Sequence, residues 1–580
     1  MAVVMCGIVG YKGKEDASGI LYRGLEKLEY RGYDSAGIAT VGNPSLKLEK
    51  GVGTIEDVIS GDENLDGETG IGHTRWATHG EVNDTNAHPH TDSKEEVAVV
   101  HNGIIQNHAE LKQELSHREF ESDTDTEVIP NLISEELQRH DSLESVCEAV
   151  MQRLEGSYAV VATLDTGEML VFKQGSPLVV GENENEIILA SDVTPLLEHT
   201  AEAVFLKDGD YAVVDGDITY FNSGEEVERE AREIDWDLEE ASKEGFDHFM
   251  QKEIREQSKT IQRAAFQDRG DMEEAVRMLE EADNIYVTGC GTSSYAASLG
   301  AKYLRDAGYD VDVEQSHELE YRTEEIGEDD LVIGISQSGE TADLLSMLEE
   351  VGADLLAVVN VVGSTLDRHS EHSLYINAGP EIGVASTKAF TGQLTLLKLL
   401  MYAAEERLDE GRKSLIATAE KVEDTLERND QEIEAISEYF TEKEHVYFIG
   451  RSKGREVAKE AALKLKELSY IHAESFPGGE FKHGTLALVE DGVPVVGVVR
   501  EEGYDEILSN IAEAKSRGAD IIGIGEEEET GFRHFLEVPR DQNSEILEVV
   551  PFQEIAYRTS VKKGNNPDKP RNLAKSVTVK

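Results

Sequence analysis

Over roughly the first 230 residues, apolar and polar positions alternate in short runs separated by Gly, Asp and Asn turns. CGIVGYK, SAGIATV, VAVVHNGII, SYAVVATL, MLVFKQG and EIILASD are the clearest runs, and their period of two predicts half-buried strands. Two stretches with helical spacing interrupt them, Ala17 to Leu28 and Asp125 to Leu137. From Glu225 to Lys243 the chain turns acidic and loses its strand signals, which places a linker there, ending near GFDHFMQKEIREQ. Beyond it, strand runs alternate with helical ones, the pattern of a parallel α/β sheet. This part repeats. IYVTGCGTSS at Ile285 returns as VYFIGRSKG at Val446, LVIGISQSGE at Leu331 as VPVVGVVREEG at Val493, and DLLAVVNV at Asp354 as DIIGIGEE at Asp520. Three pairs in order at nearly one offset predict two copies of a doubly wound domain.

Charge changes the picture next. The 580 residues include 118 acidic and 55 basic side chains, a formal charge of -63. Such a field repels a polyphosphate backbone and excludes nucleic acid as a partner. The acids are spread between apolar periodic segments, so the chain reads as folded with a carboxylate-rich surface, as expected at very high internal salt. Cys6, Cys147 and Cys290 are too few for a disulfide scaffold and lack zinc spacing, which favours a reducing cytoplasm. No apolar run reaches the roughly 18 residues of a membrane span. The best candidate, Leu394 to Ala404, is interrupted by Lys398, and MAVVMCGIVGY lacks the charged start and full apolar core of a signal peptide. A soluble, cytoplasmic protein is expected.

The two repeats differ at their strand-to-helix turns. The first carries Thr292, Ser293 and Ser294, then Ser336, Ser338 and Thr341; the second has Arg451, Lys453 and acids in those places. Hydroxyls before a helix N-terminus either cap the helix or offer donors to a phosphate dianion. Two such loops at strand carboxyl ends in one domain keep both readings open. Cys6 heads its strand. A cysteine at a mature N-terminus has its own base, because a free α-amine titrates near 7.7–8.0 and can take the thiol proton.

Motifs along the whole chain carry a resemblance: MCGIVGY, LEYRGYDSAG, GHTRWATHG, HPH, HNGIIQN, SDTDTE, HFMQKEI, GCGTS, ISQSGET, EIGVASTKAF, LKLKELSYIHAE and PRNLAKSVTV. The sequence resembles the isomerising glutamine–fructose-6-phosphate aminotransferase family. That resemblance implies a mixed α/β and α+β chain: an N-terminal-nucleophile αββα sandwich over 6–230, a linker over 231–248, two doubly wound sugar isomerase (SIS) domains over 249–425 and 426–565, and a tail over 566–580 entering the sugar site. It implies glutamine and fructose 6-phosphate as substrates, no redox cofactor, no metal and a homodimer. His73, His79, His88 and His90 have no acidic or cysteine partner at ligand spacing, which also argues against a metal.

By position, the resemblance makes Cys6 the nucleophile on the glutamine amide. The Asn102 side chain and the Gly103 N–H become the oxyanion donors, although an Asn-Gly pair after a strand is otherwise a turn. Arg75 grips the α-carboxylate of glutamine, Asp125 pairs with its ammonium, and Trp76, Thr78 and His79 belong to a loop that closes over it. In the sugar half, Glu467 shuttles the C1–C2 proton with Lys464 beside it; three apart, they share one helix face and could equally form a solvated bridge. His483 opens the ring from the neighbouring subunit, and Lys575 forms the Schiff base. Ser336, Gln337, Ser338 and Thr341 hold the phosphate with Thr292 and Ser293 alongside, and Ser386 contacts sugar hydroxyls.

Departures from the family pattern are few: four residues ahead of Met5, a terminal Lys580, and Phe476 and Pro477 before Gly478. A phosphosugar sensor built on SIS domains would bring a DNA-binding module and lack Lys464, Glu467 and Lys575, and a SIS enzyme of other selectivity would lack Cys6. Because an amide nitrogen is no base, Met1 to Val4 are expected to be absent from active enzyme, through a start at Met5 or cleavage of a short propeptide. Intact-mass measurement of glutamine-active protein should therefore find Cys6 at the terminus; Met1 or Ala2 there would refute the N-terminal amine mechanism.

Overall fold

The computed structural model describes residues 6–42, 45–59, 65–76, 81–234, 242–527 and 531–576. They fall into two compact units, Met1–Ala241 with Ser576–Lys580, and Ser242–Lys575.

The first unit holds an eight-stranded and a seven-stranded sheet, antiparallel throughout. Alternation explains the layering. One face of each sheet supplies Ile8, Ala39 and Ile71 or Val100, Val161 and Val171 to a shared dry layer between them. On the outer faces, helix Ala17–Leu28 covers one sheet, while helices Val128–Glu136 and Leu143–Met151 cover the other. The result is the αββα sandwich. The central strand Gly7–Lys12 pairs with Thr69–Arg75 in the register Gly7↔Thr74, which brings Cys6 level with Arg75. Strand pairing continues past the expected acidic boundary: Glu225–Glu226 adds to Phe221–Asn222, and Arg232–Glu233 adds to Glu202–Ala203. Two-residue edge strands are too short to leave a periodic signal.

The second unit contains two five-stranded parallel sheets with the same strand order, 2-1-3-4-5. The first runs Val311–Gln315, Ile285–Gly289, Leu331–Ser336, Asp354–Val359, His372–Tyr375; the second runs His472–Pro477, His445–Gly450, Pro494–Val498, Asp520–Gly525, His534–Glu537. The three repeated sequence pairs are strands one, three and four of each sheet. Helices Thr292–Asp306, Lys388–Ala404, Lys453–Ser469 and Ser544–Lys562 fill one continuous core with residues of both sheets. Helix Lys388–Ala404, the most apolar run of the sequence, is a buried core helix. Among the described residues no helix is long and apolar enough to cross a membrane.

Its Lys398 explains the charge in that run. Lys398 Nζ lies 3.5 Å from Glu545 and 4.3 Å from the Tyr303 ring centre. Arg500 pairs with the same Glu545 at 2.9 Å and with Glu548 at 2.7 Å. Burial would raise the Glu545 pKa, but Arg500 and Lys398 hold it down at about 2. Removing one member of a buried ion cluster leaves a carboxylate uncompensated, at a cost of roughly 3–5 kcal/mol. Arg500→Met should therefore lower the melting temperature by an amount that changes little with salt, because the side chains of the cluster are at most 12% exposed and weakly screened. The unmodified chain should melt progressively lower as KCl falls from molar levels to about 0.1 M, because its excess surface carboxylates lose their screening. Melting curves across the salt series read both; a flat wild-type series would contradict the second expectation.

Candidate active site

In the first unit, the carboxyl end of strand Thr69–Arg75, the start of strand Gly7–Lys12 and the middle of strand Val97–Ile105 converge on Cys6. The Trp76 N–H points at Cys6 Sγ at 3.3 Å. Burial pushes the Cys6 thiol up to about 12, against the pull of the Trp76 N–H and the Arg75 charge. Asn102 donates its side-chain N–H to the Cys6 carbonyl at 2.7 Å. Its Oδ1 in turn accepts from His73 Nε2 at 3.0 Å, which fixes the orientation of the amide. Gly103 follows with φ +137°, and a Cβ there would lie 2.0 Å from the Ser157 carbonyl oxygen, so only glycine fits. Asp125 is buried and accepts the Ile105 N–H at 2.7 Å, so helix Val128–Glu136 starts three residues later than the spacing predicts. Arg75 is buried within the electrostatic reach of Cys6, Asp34 and Asp125. Trp76 is half-buried and packs edge-on to Tyr33, with ring centres 5.4 Å apart. Thr78 and His79 lie outside the described residues.

Behind Asn102 sits a polar layer that sequence reasoning considered only as a metal candidate. His73 and His88 stack with ring centres 4.1 Å apart, and His88 meets His90 at 4.8 Å. His88 Nε2 and His101 Nδ1 both bond the Thr126 hydroxyl, at 3.0 and 2.9 Å. Burial depresses all four imidazoles, His73 to about 3.

In the second unit, helix Lys453–Ser469 places Glu460, Lys464 and Glu467 at i, i+4 and i+7, one stripe of its surface. Lys464 Nζ lies 2.7 Å from Glu467, 3.4 Å from Glu460 and 3.1 Å from the Thr292 hydroxyl. Burial lowers the Lys464 pKa, but the two carboxylates outweigh it and hold the ammonium above its ordinary range. Burial raises Glu460 to about 7 despite Lys464. Thr292 opens helix Thr292–Asp306, and Ser293 beside it accepts from Gln393 at 2.9 Å. Ser336 and Thr341 share a hydroxyl contact at 3.0 Å across the next loop, where the Gly339 N–H reaches Ser336 Oγ at 3.0 Å and the Glu340 N–H reaches Ser338 Oγ at 3.2 Å. Gly339 has φ +69°, and a Cβ would meet Ser364 Oγ at 2.0 Å. Gln337 is half-buried in that loop.

Lys575 is drawn into the unit by a carboxylate that sequence reasoning missed. Its Nζ donates to Glu381 at 2.5 Å and to the Gly383 carbonyl at 2.7 Å. Glu381 also accepts the N–H groups of Thr387 and Ala389 and the Ser386 hydroxyl. Burial works against its charge, but Lys575 and these donors keep it ionised. Neighbouring Glu253 is raised, by burial and then by the Glu381 charge, while accepting from Ile382 and Gly383. The i, i+4 spacing to Lys464 could have flagged Glu460; Glu381 and Glu253 stand inside the motifs EIGVASTKAF and HFMQKEI, but nothing local marks either as buried. His483 is exposed after helix Gly478–Phe481, and among the described residues no hydrogen bond or ion pair joins it to Lys464, Glu467 or Lys575.

Comparison with known proteins accords with this division. Residues 73–198 match the glutamine amidotransferase domain family, and residues 278–403 and 439–531 match the SIS domain family. The chain is 44% identical to a glutamine–fructose-6-phosphate aminotransferase (isomerizing) of Thermococcus kodakarensis, with 99% of this chain and all of that one aligned. It is 43% identical to the enzyme of the same name from Aquifex aeolicus, at the same coverage. Among solved structures, the C-terminal domain of a glucosamine-fructose-6-phosphate aminotransferase from Francisella tularensis covers 57% of this chain and 100% of its own at 35% identity, with a TM-score of 0.53. A tagatose-6-phosphate ketose/aldose isomerase from Escherichia coli, at 19% identity, shares the fold over 56% of this chain and 95% of its own, with a TM-score of 0.50.

The buried histidine layer carries a sign-definite pH dependence. Each imidazole is neutral in the fold and takes up a proton near pH 6.5 when unfolded, so its stabilisation is complete above that pH and lost as pH falls. Each such group contributes about 1.4 kcal/mol per pH unit in that window. His88→Gln should therefore make the loss of stability between pH 7 and pH 5 shallower by about one proton's worth. Coincident slopes for the two proteins would show His88 to be protonated in the fold.

Proposed function

The chain belongs to the glutamine–fructose-6-phosphate aminotransferase (isomerizing) family, and from that premise we propose which residues carry each half of its reaction. The enzyme transfers the amide nitrogen of glutamine to fructose 6-phosphate and isomerises the product to glucosamine 6-phosphate, the first step of hexosamine synthesis. The observation that carries the assignment is the coexistence, in one chain aligned end to end with its relatives, of the Cys6–Asn102–Asp125 constellation and the Lys464–Glu467 and Lys575–Glu381 pairs.

Cys6 attacks the side-chain carbonyl carbon of glutamine, and its proton passes to the α-amine freed by removal of the residues upstream. The oxyanion is received by the Asn102 amide and the Gly103 N–H. Arg75 and Asp125 hold the substrate's carboxylate and ammonium groups, with Trp76, Thr78 and His79 closing over it. Expulsion of ammonia leaves a thioester, which water cleaves to glutamate. In the sugar half, hydroxyls of Thr292, Ser293, Ser336, Ser338 and Thr341, with Gln337, hold the phosphate, and Ser386 meets sugar hydroxyls. His483 of a second subunit opens the ring, which makes a homodimer the working unit. The Lys575 amine adds to the C2 ketone and expels water to give a Schiff base; ammonia then adds at C2 and expels the Lys575 amine, which leaves the sugar as its C2 imine. Glu467 then carries a proton between C1 and C2 with Lys464 beside it. Glu381 holds the Lys575 ammonium and is the nearest acceptor for its proton. The acidic composition fits a halophilic cytoplasm, and the domain limits are proposed at 6–230, 249–425 and 426–565 with a tail from 566.

The two halves should separate on mutation. Cys6→Ala should abolish glutamine-dependent synthesis and leave fructose 6-phosphate binding intact. Lys575→Ala should release glutamate from glutamine but form no amino sugar, and Glu467→Gln should slow amino-sugar formation by about 10²–10⁴-fold. Paired assays of glutamate and glucosamine 6-phosphate distinguish these outcomes. Normal glutamine-dependent turnover by Cys6→Ala would remove Cys6 from the mechanism.

A further inference from the structure

Three side chains from three successive strand ends meet at the carboxyl edge of the first parallel sheet. Cys290 follows strand Ile285–Gly289, His317 lies just after strand Val311–Gln315, and Asp343 stands at the start of helix Ala342–Glu349, beyond strand Leu331–Ser336. These strands are neighbours in the order Val311, Ile285, Leu331, so the topology itself brings the three loops together. A sulfur, an imidazole nitrogen and a carboxylate oxygen all lie within 4.8 Å of one another, and all three residues are half-buried and open to solvent. The reaction as assigned above uses none of them.

We propose that Cys290, His317 and Asp343 bind one thiophilic divalent cation of the Zn²⁺ class, leaving a fourth position open to water or an anion. Zinc accepts this mixed set at about 2.3 Å to sulfur and about 2.0–2.2 Å to nitrogen and oxygen, in a tetrahedron. Ligand atoms already within 4.8 Å reach that arrangement by small side-chain rotations. Burial and the Asp343 charge raise the thiol pKa against the pull of the Ser316 hydroxyl and the N–H groups of Ser316 and His317, so a bound ion must itself displace the thiol proton. Binding is a simple exchange in which Zn²⁺ takes the thiolate and the thiol proton leaves to solvent, with no change of oxidation state. A thiolate and an imidazole also separate this site from the acidic surface, which binds hard ions such as Mg²⁺ and K⁺ through oxygen alone.

The position gives the ion a consequence. Cys290 is two residues before Thr292, and Asp343 is two residues after Thr341, so a bound ion ties together the two hydroxyl loops assigned to the sugar phosphate. Occupancy should therefore inhibit the sugar half of the reaction. This consequence rests on the phosphate assignment; the binding itself does not.

Co²⁺ titrated into the full-length protein, with Mg²⁺ in excess, is the probe. The expected result is a sulfur-to-cobalt charge-transfer band in the near ultraviolet with strong visible bands of four-coordinate cobalt, saturating at one ion per chain and bleached by one equivalent of Zn²⁺. The band should persist in Cys6→Ala, vanish in Cys290→Ser, and need at least about tenfold more Co²⁺ in His317→Ala. Zn²⁺ should slow glucosamine 6-phosphate formation in the wild type and not in Cys290→Ser. Absence of a thiolate band at saturating Co²⁺, or its survival in Cys290→Ser, overturns the site. Binding as described with an unaltered sugar reaction upholds the metal site and overturns the phosphate assignment of these loops.

Discussion

A charge taken out of water must find a partner, and this chain has 55 basic side chains to set against 118 acidic ones. Several of its cations are committed to carboxylates that the fold has buried or half-buried. Arg31 pairs with buried Asp192, Arg500 with Glu545 and Glu548, Lys464 with Glu460 and Glu467, and Lys575 with Glu381. The surface is left with the surplus of carboxylates. Two electrostatic regimes follow within one molecule: an exterior whose repulsion depends on dissolved ions, and largely buried pairs that ions screen weakly. The Lys464 cluster belongs to the second regime: the two carboxylates beside it hold the ammonium above its ordinary range against burial.

The duplicated half shows how one site is made from two similar parts. Both sheets have the same strand order, yet their first turns have gone different ways. In the second copy, Arg451 packs on Asn510 at 3.1 Å and Lys453 pairs with Asp306 at 2.7 Å, so the equivalents of the first copy's hydroxyl loop are occupied with holding the protein together. The second copy contributes instead through its first helix. Lys464 on that helix reaches the Thr292 hydroxyl of the first copy, so the first hydroxyl loop of one copy and the Glu460–Lys464–Glu467 stripe of the other are joined by a direct hydrogen bond.

What could be read from the sequence follows from the range of the forces involved. Strands with a clean period of two and the amphipathic Ala17–Leu28 helix are set by local pattern and appear where that pattern places them. The start of the second helix was misplaced because Asp125 answers to Ile105, a partner in another strand. The same limit applies to the site. Motif residues such as Cys6, Asn102 and Lys575 are recognisable by position. Glu381 and Glu253 also lie inside quoted motifs, but their roles are not legible there, because such an acid becomes significant only when tertiary packing removes its water. Cys290, His317 and Asp343 show no metal-binding spacing, because adjacent strand ends of a parallel sheet are separated in sequence by whole helices.

The buried nucleophile presents the sharpest chemical demand. A thiol raised to about 12 is almost wholly protonated at neutral pH, so attack on an amide requires a base acting directly on its proton. Among the described residues, the hydrogen bonds of Cys6 Sγ are both with the peptide of Trp76, one from its N–H and one to its carbonyl. The nearest layer of imidazoles is not a substitute. His73 is held neutral, and its Nε2 hydrogen is committed to Asn102, where it keeps the amide N–H turned towards Cys6. His73 therefore fixes the orientation of the Asn102 amide, and in the proposed mechanism the proton of the thiol falls to the nitrogen of Cys6 itself. That nitrogen is basic only as an amine. In the proposed mechanism, the same burial that raises the thiol thus ties the first half of the reaction to a free Cys6 terminus.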